Sequence, residues 1–135
     1  MENKEIRILA IDDNHNNLIT IKTLVIEAFP EALIYTALSG SEGIEIASRV
    51  NTDVVLLDIV MPEIDGFEVC HKLKEDIDLC DIPVVFVTAL KGNSDSRIKA
   101  LEVGAEAFIA KPIDPDTLFV TILRWLSANK LTVPA

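Results

Sequence analysis

The sequence has few aromatic residues and fewer basic than acidic side chains. Aromatic residues make up 5% of the 135 positions, and 12 Lys and Arg stand against 22 Asp and Glu, for a formal net charge of −10. The low aromatic content predicts a core built from Val, Ile, Leu and Ala. The negative charge argues against direct binding to nucleic acid or to an anionic membrane, because phosphate groups repel an acidic surface.

Cysteines and long apolar runs are also scarce. The two cysteines, Cys70 and Cys80, stand in no metal-ligand spacing, and a chain of this length needs no disulfide framework to build a core. No apolar stretch approaches the roughly 20 residues of a membrane span. The charged segment Met1–Arg7 lacks the features of a signal peptide. We therefore expect a cytoplasmic protein with reduced thiols and no membrane association.

Apolar runs of strand length alternate with amphipathic stretches of helix length along the whole chain. This alternation is typical of βαβ units around a parallel sheet, and it predicts an α/β fold. The five predicted strands are Arg7–Ile11, Leu33–Leu38, Val54–Leu57, Val84–Val87 and Ala107–Ala110. The five predicted helices are Asn16–Ala28, Ser41–Arg49, Gly66–Asp76, Ser94–Val103 and Pro115–Ala128.

Local signals support three of the helix starts and one buried helix face. Capping residues precede the second, third and fifth helices, as Ser39 with Glu42, Asp65 with Glu68, and Asp114 with Pro115. Apolar residues at helical spacing predict the buried face of the third helix: Phe67, Cys70, Leu73 and Ile77.

The chain shows no internal repeat, low-complexity segment or linker before its last helix. We therefore predict one domain over residues 1–128. Residues 129–135 are expected to form a short tail, or the start of a linker to an output region absent from this sequence. Nothing in the sequence identifies a kinase, nucleotide-binding or DNA-reading motif.

Polar residues follow four of the five predicted strands. Asp12 and Asp13 follow the first strand, Asp58 the third, Thr88 the fourth and Lys111 the fifth. A single Asp after a strand is usually a cap or turn residue, but parallel strands bring all of these to one sheet edge. Three converging carboxylates need raised pKa values or a cation. Mg²⁺ (or Mn²⁺) fits such a site because it prefers oxygen ligands and often uses only one or two carboxylates.

Four motifs in order resemble those of one protein family. They are Ile11-Asp12-Asp13-Asn14, the segment from Leu57 to Gly66, the pair Thr88-Ala89, and the pair Lys111-Pro112. From Ile6 to Ser127 the chain resembles the receiver domains of response regulators in two-component signalling. The resemblance implies a flavodoxin-like, doubly wound (βα)5 sandwich with strand order 2-1-3-4-5.

The resemblance also implies roles for the acidic residues. Asp58 would be the phosphoacceptor. Asp13, Asp58 and the backbone carbonyl of Val60 would hold Mg²⁺ (or Mn²⁺), and Asp12 would act on the metal mainly through water. The donor would be a phosphohistidine on a histidine kinase or a histidine phosphotransfer protein. The domain would not be an enzyme beyond phosphorylating and dephosphorylating itself.

Further expectations concern the response to the phosphoryl group. Thr88 and Lys111 would bind its oxygens, Ala89 would leave room beside it, and Pro112 would follow a cis peptide bond. Movement of Thr88 would let Phe108 turn inward and change the face made by the fourth helix, fifth strand and fifth helix. That face would signal to an output domain or effector protein, or form a homodimer. Plain core packing is an equally good interpretation of Phe108.

Three other interpretations compete with this one. A haloacid-dehalogenase-like phosphohydrolase also uses an aspartate nucleophile, but it carries a second Asp two residues later, where this chain has Val60. An unphosphorylated interaction module would keep the fold without the chemistry. The chain could also be the receiver segment of a hybrid histidine kinase or cyclase.

Overall fold

The computed structural model describes residues 5–89 and 94–129, in which five strands alternate with five helices. The strands are β1 (Arg7–Ile11), β2 (Leu33–Ala37), β3 (Val54–Leu57), β4 (Val84–Thr88) and β5 (Ala107–Ala110). The helices are α1 (His15–Ala28), α2 (Gly40–Arg49), α3 (Gly66–Glu75), α4 (Ser94–Glu102) and α5 (Pro115–Asn129). Every predicted element is confirmed, with ends that differ by at most one residue. The predicted tail beyond Asn129 lies outside the described residues.

The strands form one parallel sheet in the order β2-β1-β3-β4-β5, which confirms the predicted flavodoxin-like fold. The central strands β3 and β4 are buried on both faces, as their unbroken apolar runs require. One core lies between the sheet and helices α2, α3 and α4. A second core lies between the opposite face of the sheet and helices α1 and α5.

The predicted capping side chains are present, but within the described residues neither predicted capping box has its reciprocal bond to the N–H of the cap residue. The side chains of Ser39 and Asp65 accept hydrogen bonds from the backbone N–H groups three residues later, and Asp114 does the same for Thr117. The Glu42 carboxylate accepts a hydrogen bond from the N–H of Leu38 rather than from that of Ser39. The glutamate therefore reaches one residue further back than a capping box requires.

The predicted apolar face of α3 is right for three of its four residues. Phe67, Cys70 and Leu73 are buried, whereas Ile77 is 87% exposed. The prediction for Ile77 was wrong because the helix ends at Glu75, so the chain beyond it no longer follows helical spacing. Cys70 and Cys80 are both free thiols, and burial raises the pKa of Cys70 to about 11, so this thiol stays protonated at neutral pH.

No helix in residues 5–89 and 94–129 is long and apolar enough to cross a membrane.

An ion pair ties the amino-terminal ends of β4 and β5 to helix α3. Lys74 Nζ lies 2.9 Å from a carboxylate oxygen of Glu106 and also donates to the carbonyls of Cys80 and Ile82. Glu106 accepts a hydrogen bond from the N–H of Val84, the first residue of β4. Both charged side chains are mostly buried, with 17% and 23% exposure. This pair therefore satisfies polar groups from three segments at the edge of the sheet where the strands begin.

We expect Lys74→Met to lower the free energy of unfolding by about 2–4 kcal/mol, because a half-paired carboxylate and two carbonyls would lose their donor. Urea denaturation monitored by circular dichroism measures this change. Glu75→Gln is the matched control, since it removes the exposed pair with His71 on the same helix and should cost no more than about 0.5 kcal/mol. Equal effects of the two substitutions would contradict a structural role for the Lys74 pair.

Candidate functional site

The polar residues predicted to converge do meet at the carboxyl-terminal edge of the sheet. Asp12 follows β1 and is 1% exposed, while its neighbour Asp13 is exposed. Asp58 directly follows β3 and is 8% exposed, and Thr88, the last residue of β4, is fully buried. Carboxylate oxygens from Asp12, Asp13 and Asp58 all lie within 4.8 Å of one another. The sheet thus brings together three acidic groups that are distant in sequence.

Lys111 supplies the opposing positive charge. Its Nζ donates a hydrogen bond of 2.8 Å to Asp12 Oδ2 and lies 3.8 Å from Asp58 Oδ2. The lysine is 16% exposed, so both interactions are partly shielded from water. A cation so placed offsets the repulsion between two nearly buried carboxylates.

The environment of Asp58 disfavours its charged form. Burial is the largest effect and raises the pKa of this carboxyl group, and the negative charge of Asp12 adds to the rise. A hydrogen bond from the Thr88 side chain, the charge of Lys111 and the N–H of Ile59 act in the opposite direction without cancelling it. Additional positive charge beside Asp58 would therefore stabilise its ionised form.

Asp12 is largely occupied by donors from the protein itself. Its Oδ1 accepts a 2.9 Å hydrogen bond from the N–H of Asn14, and the Asn17 amide donates to the same carboxylate at 3.3 Å. Asn14 belongs to the first motif, but neither asparagine was predicted to contact Asp12. Asn14 caps α1 by accepting a hydrogen bond from the N–H of Asn17. Asn is a common N-cap residue before a helix, so this cap could have been predicted from the sequence. The contact from Asn17 to Asp12 depends on the fold and had no signal in the sequence.

Gly66 fixes the position of the loop that carries Asp58. A Cβ at residue 66 would collide with the backbone carbonyl oxygen of Asp58 and with Ile59 Cα, so only glycine allows this approach. The N–H of Gly66 donates a 2.8 Å hydrogen bond to the carbonyl of Ile59. The first residue of α3 is therefore packed directly against the backbone of the acidic site.

The remaining predicted residues surround this cluster. Val60 lies two residues after Asp58, with its side chain 62% exposed, and Ala89 is exposed just after β4. The peptide bond between Lys111 and Pro112 is cis, as the resemblance implies. Phe108 is half-buried on β5, where its ring packs edge-on against Phe86.

The ligand set fits a hard divalent cation. Carboxylate oxygens are the donors that Mg²⁺ and Mn²⁺ prefer, and three of them converge here. Since both oxygens of Asp12 already accept hydrogen bonds from Lys111 and Asn14, Asp13 and Asp58 are the better candidates for direct contact. The residues present are therefore compatible with the predicted metal site.

Known proteins resemble this chain in sequence over most of its length. Residues 8–123 match the family model described as the response regulator receiver domain. The chain is 42% identical over 127 residues to the response regulator PleD of Caulobacter vibrioides, covering 94% of this chain and 27% of that protein. It is 32% identical over 118 residues to the DNA-binding dual master transcriptional regulator RpaA of Synechocystis, covering 86% of this chain and 47% of that one. The chain thus spans half or less of these relatives.

Solved structures give the same result. The receiver domain of a signal transduction histidine kinase from Syntrophus aciditrophicus superimposes with a TM-score of 0.82 at 30% identity, covering 96% of each chain. The receiver domain of a DNA-binding response regulator from Colwellia psychrerythraea has a TM-score of 0.84 at 28% identity, covering 91% of this chain and 99% of that one. With the motifs, the fold and the acidic edge in agreement, the chain belongs to the response regulator receiver-domain family of two-component signalling.

Proposed function

We propose that Asp58 accepts a phosphoryl group in a reaction that depends on a divalent cation. The observation that carries this proposal is the position of Lys111, whose Nζ lies 2.8 Å from Asp12 and 3.8 Å from Asp58 beside three clustered carboxylates. A cation next to a nearly buried carboxylate is what an anionic phosphoryl group requires in order to approach it.

The reaction would begin with the Asp58 carboxylate attacking the phosphorus of a phosphohistidine. A bond forms between a carboxylate oxygen and phosphorus, the donor's P–N bond breaks, and the histidine nitrogen leaves with the bonding electrons. Asp58 needs no general base, because its ionised form is already a nucleophile. The product is an acyl phosphate on Asp58, and the donor would be a histidine kinase or histidine phosphotransfer protein.

Charge neutralisation is the main task of the other residues, because the transition state spreads negative charge over the transferring oxygens. The ammonium group of Lys111 would pair with one of them. A divalent cation bound by Asp13, Asp58 and the backbone carbonyl of Val60 would supply further positive charge. Asp12 would hold Lys111 in place through their 2.8 Å hydrogen bond and would act on the metal mainly through water.

The response would begin at Thr88, whose side chain now hydrogen-bonds to Asp58. A phosphoryl group adds about −1.5 to −2 charge and three strong acceptor oxygens, so the hydroxyl would follow them, with exposed Ala89 leaving room. Phe108 pairs in register with Phe86 on the same strand as Thr88 and would turn inward. The face formed by α4, β5 and α5 would then change its contacts with an output domain, an effector protein or a second copy of the chain.

Intact mass measures the proposed modification directly. Incubation with acetyl phosphate and Mg²⁺ should add one phosphoryl group to the native chain, and neither Asp58→Asn nor an EDTA-treated sample should gain it. Asp81→Asn is the matched control, because Asp81 is exposed and precedes β4 at the opposite edge of the sheet. A gain that persists in Asp58→Asn would refute Asp58 as the acceptor. The absence of any gain, in folded protein with bound Mg²⁺, would favour an unphosphorylated interaction module.

The raised pKa of Asp58 predicts how stability changes with pH. Because the folded state disfavours the ionised carboxylate, ionisation of Asp58 costs stability above its folded pKa, and the cost disappears below the unfolded pKa of about 4. We therefore expect Asp58→Asn to raise the melting temperature in EDTA at pH 7, with a gain that shrinks as the pH falls toward 4.

Differential scanning calorimetry measures both melting temperatures, and Asp81→Asn again serves as the control. Mg²⁺ should raise the melting temperature of the native chain at pH 7, because a bound cation offsets the same cost, and it should raise that of Asp58→Asn less. A lower melting temperature for Asp58→Asn in EDTA would show that the carboxylate stabilises the apo fold, contrary to this account.

A further inference from the structure

Three aromatic rings form a row beneath helix α4. Phe67 on α3 packs edge-on against Phe86 on β4, with centroids 5.4 Å apart at an interplanar angle of 67°. Phe86 in turn packs against Phe108 on β5, at 6.5 Å and 63°. Edge-to-face contacts of this kind are attractive and directional. The row therefore connects one helix and two strands, and its central ring is fully buried.

Helix α4 places a positive charge over each end of the row. Lys99 Nζ lies 4.7 Å from the centroid of the Phe67 ring, and Arg97 Cζ lies 4.8 Å from that of Phe108. Both distances are within the range of an attractive cation–π interaction. The two cations come from one helix and contact the first and third rings of a row whose members belong to three other elements.

These contacts matter because α4 buries little apolar surface. Within residues 95–102 only Ala100 is buried, while Ile98 and Leu101 are 53% and 72% exposed. A helix normally gains most of its stability from an apolar face packed against the core. Here that face has one buried side chain within residues 95–102, so the two cation–π contacts add to a small set of apolar contacts that dock the helix.

The rings at the two ends of the row differ in how completely they are buried. Phe67 is 9% exposed and forms part of a packed core on α3. Phe108 is only half-buried, and it is the second residue of β5, which is an edge strand of the sheet. A ring that is partly open to solvent can change orientation at lower cost than one enclosed in the core. If either contact breaks while the fold stays intact, it will be the one at Phe108.

We propose that Arg97 and Lys99 clamp α4 onto the aromatic row, and that the Arg97–Phe108 contact is the part of the clamp that phosphorylation releases. The second half rests on the proposed function, since the signal would reach Phe108 from Asp58 through Thr88. Arg97 is then a positioning residue that makes the docking of α4 depend on the orientation of one ring. Once Phe108 turns inward, the arginine loses its contact with this ring, and of the two cation–π contacts only the one at Lys99 remains.

Hydrogen exchange followed by mass spectrometry on residues 95–102 tests the clamp in the unmodified protein. Arg97→Met and Lys99→Met keep side-chain length and helix propensity while removing the charge. Each should speed exchange in α4 about two- to five-fold. The matched control is Arg124→Met, because Arg124 lies over the ring of its own neighbour Trp125 and connects no two elements. Exchange in α4 equal to that of the native chain in both α4 variants would overturn the proposal.

Two further variants separate the ring contact from general damage to the helix. Arg97→Lys retains the positive charge and should restore most of the protection that Arg97→Met loses. Phe108→Leu removes the ring and keeps an apolar side chain. Exchange in α4 of the double variant Arg97→Met, Phe108→Leu should be little faster than in either single variant, because both substitutions remove the same contact. Additive effects of the pair would contradict a direct Arg97–Phe108 interaction.

The phosphorylated protein supplies the second arm of the test. Native chain treated with acetyl phosphate, with the mass gain verified, should show faster exchange in α4, and Arg97→Met should show a smaller further increase on modification. A mass gain with unchanged α4 exchange would overturn the release step and leave the proposed function standing. Without a mass gain the proposed function fails, and the variants of the unmodified protein still decide whether the clamp exists.

Discussion

The ion pair between Lys111 and Asp12 joins residues that are 99 positions apart in the chain, and the acidic edge of the sheet depends on it. Three carboxylates within 4.8 Å of one another would repel if nothing opposed them. Burial already raises the pKa of Asp58, so the site cannot gain stability simply by excluding water. The lysine reduces the excess negative charge without removing it. What remains is a site that still favours the arrival of positive charge, which suits the proposed binding of a divalent cation before phosphoryl transfer.

Much of this arrangement could be predicted because it follows from one-dimensional patterns. Residues Val54–Leu57 of β3 and Val84–Val87 of β4 are uninterrupted apolar runs. Such runs are typical of parallel strands that are buried on both faces. The capping signals at Ser39, Asp65 and Asp114 mark helix starts through bonds that span three residues, so they are visible without knowledge of the fold. Once the strands were placed, their carboxyl ends predicted which polar residues would meet. The acidic cluster thus follows from the sheet topology and can be predicted from the sequence.

The contacts that could not be predicted all join segments whose mutual placement depends on packing. Nothing near Lys74 in the sequence indicates that it reaches Glu106, 32 residues away. Likewise, the spacing of Arg97 and Lys99 suggests an ordinary solvated helix face, and their positions over Phe108 and Phe67 appear only when α4 is docked. The prediction that Ile77 is buried was wrong for a different reason. The helical spacing of apolar residues was extended past Glu75, at which the helix ends. Local sequence patterns therefore do not predict contacts between side chains of distant segments, or the residue at which a helix ends.

The ion pair of Lys74 and Glu106 has a mechanical consequence for the other end of the sheet. It fastens β4 and β5 where they begin, since Glu106 also accepts the N–H of Val84. Thr88 ends β4 at the opposite edge of the sheet, whereas Phe108 is the second residue of β5 and lies only two positions after Glu106. The ion pair therefore restrains Phe108 more directly than it restrains Thr88, which lies at the far end of its strand. The two edges of the sheet thus differ in construction: the edge where the strands begin is held by an ion pair shared between α3, β4 and the start of β5, whereas the ion pair at the acidic edge joins the residues that follow β1 and β5.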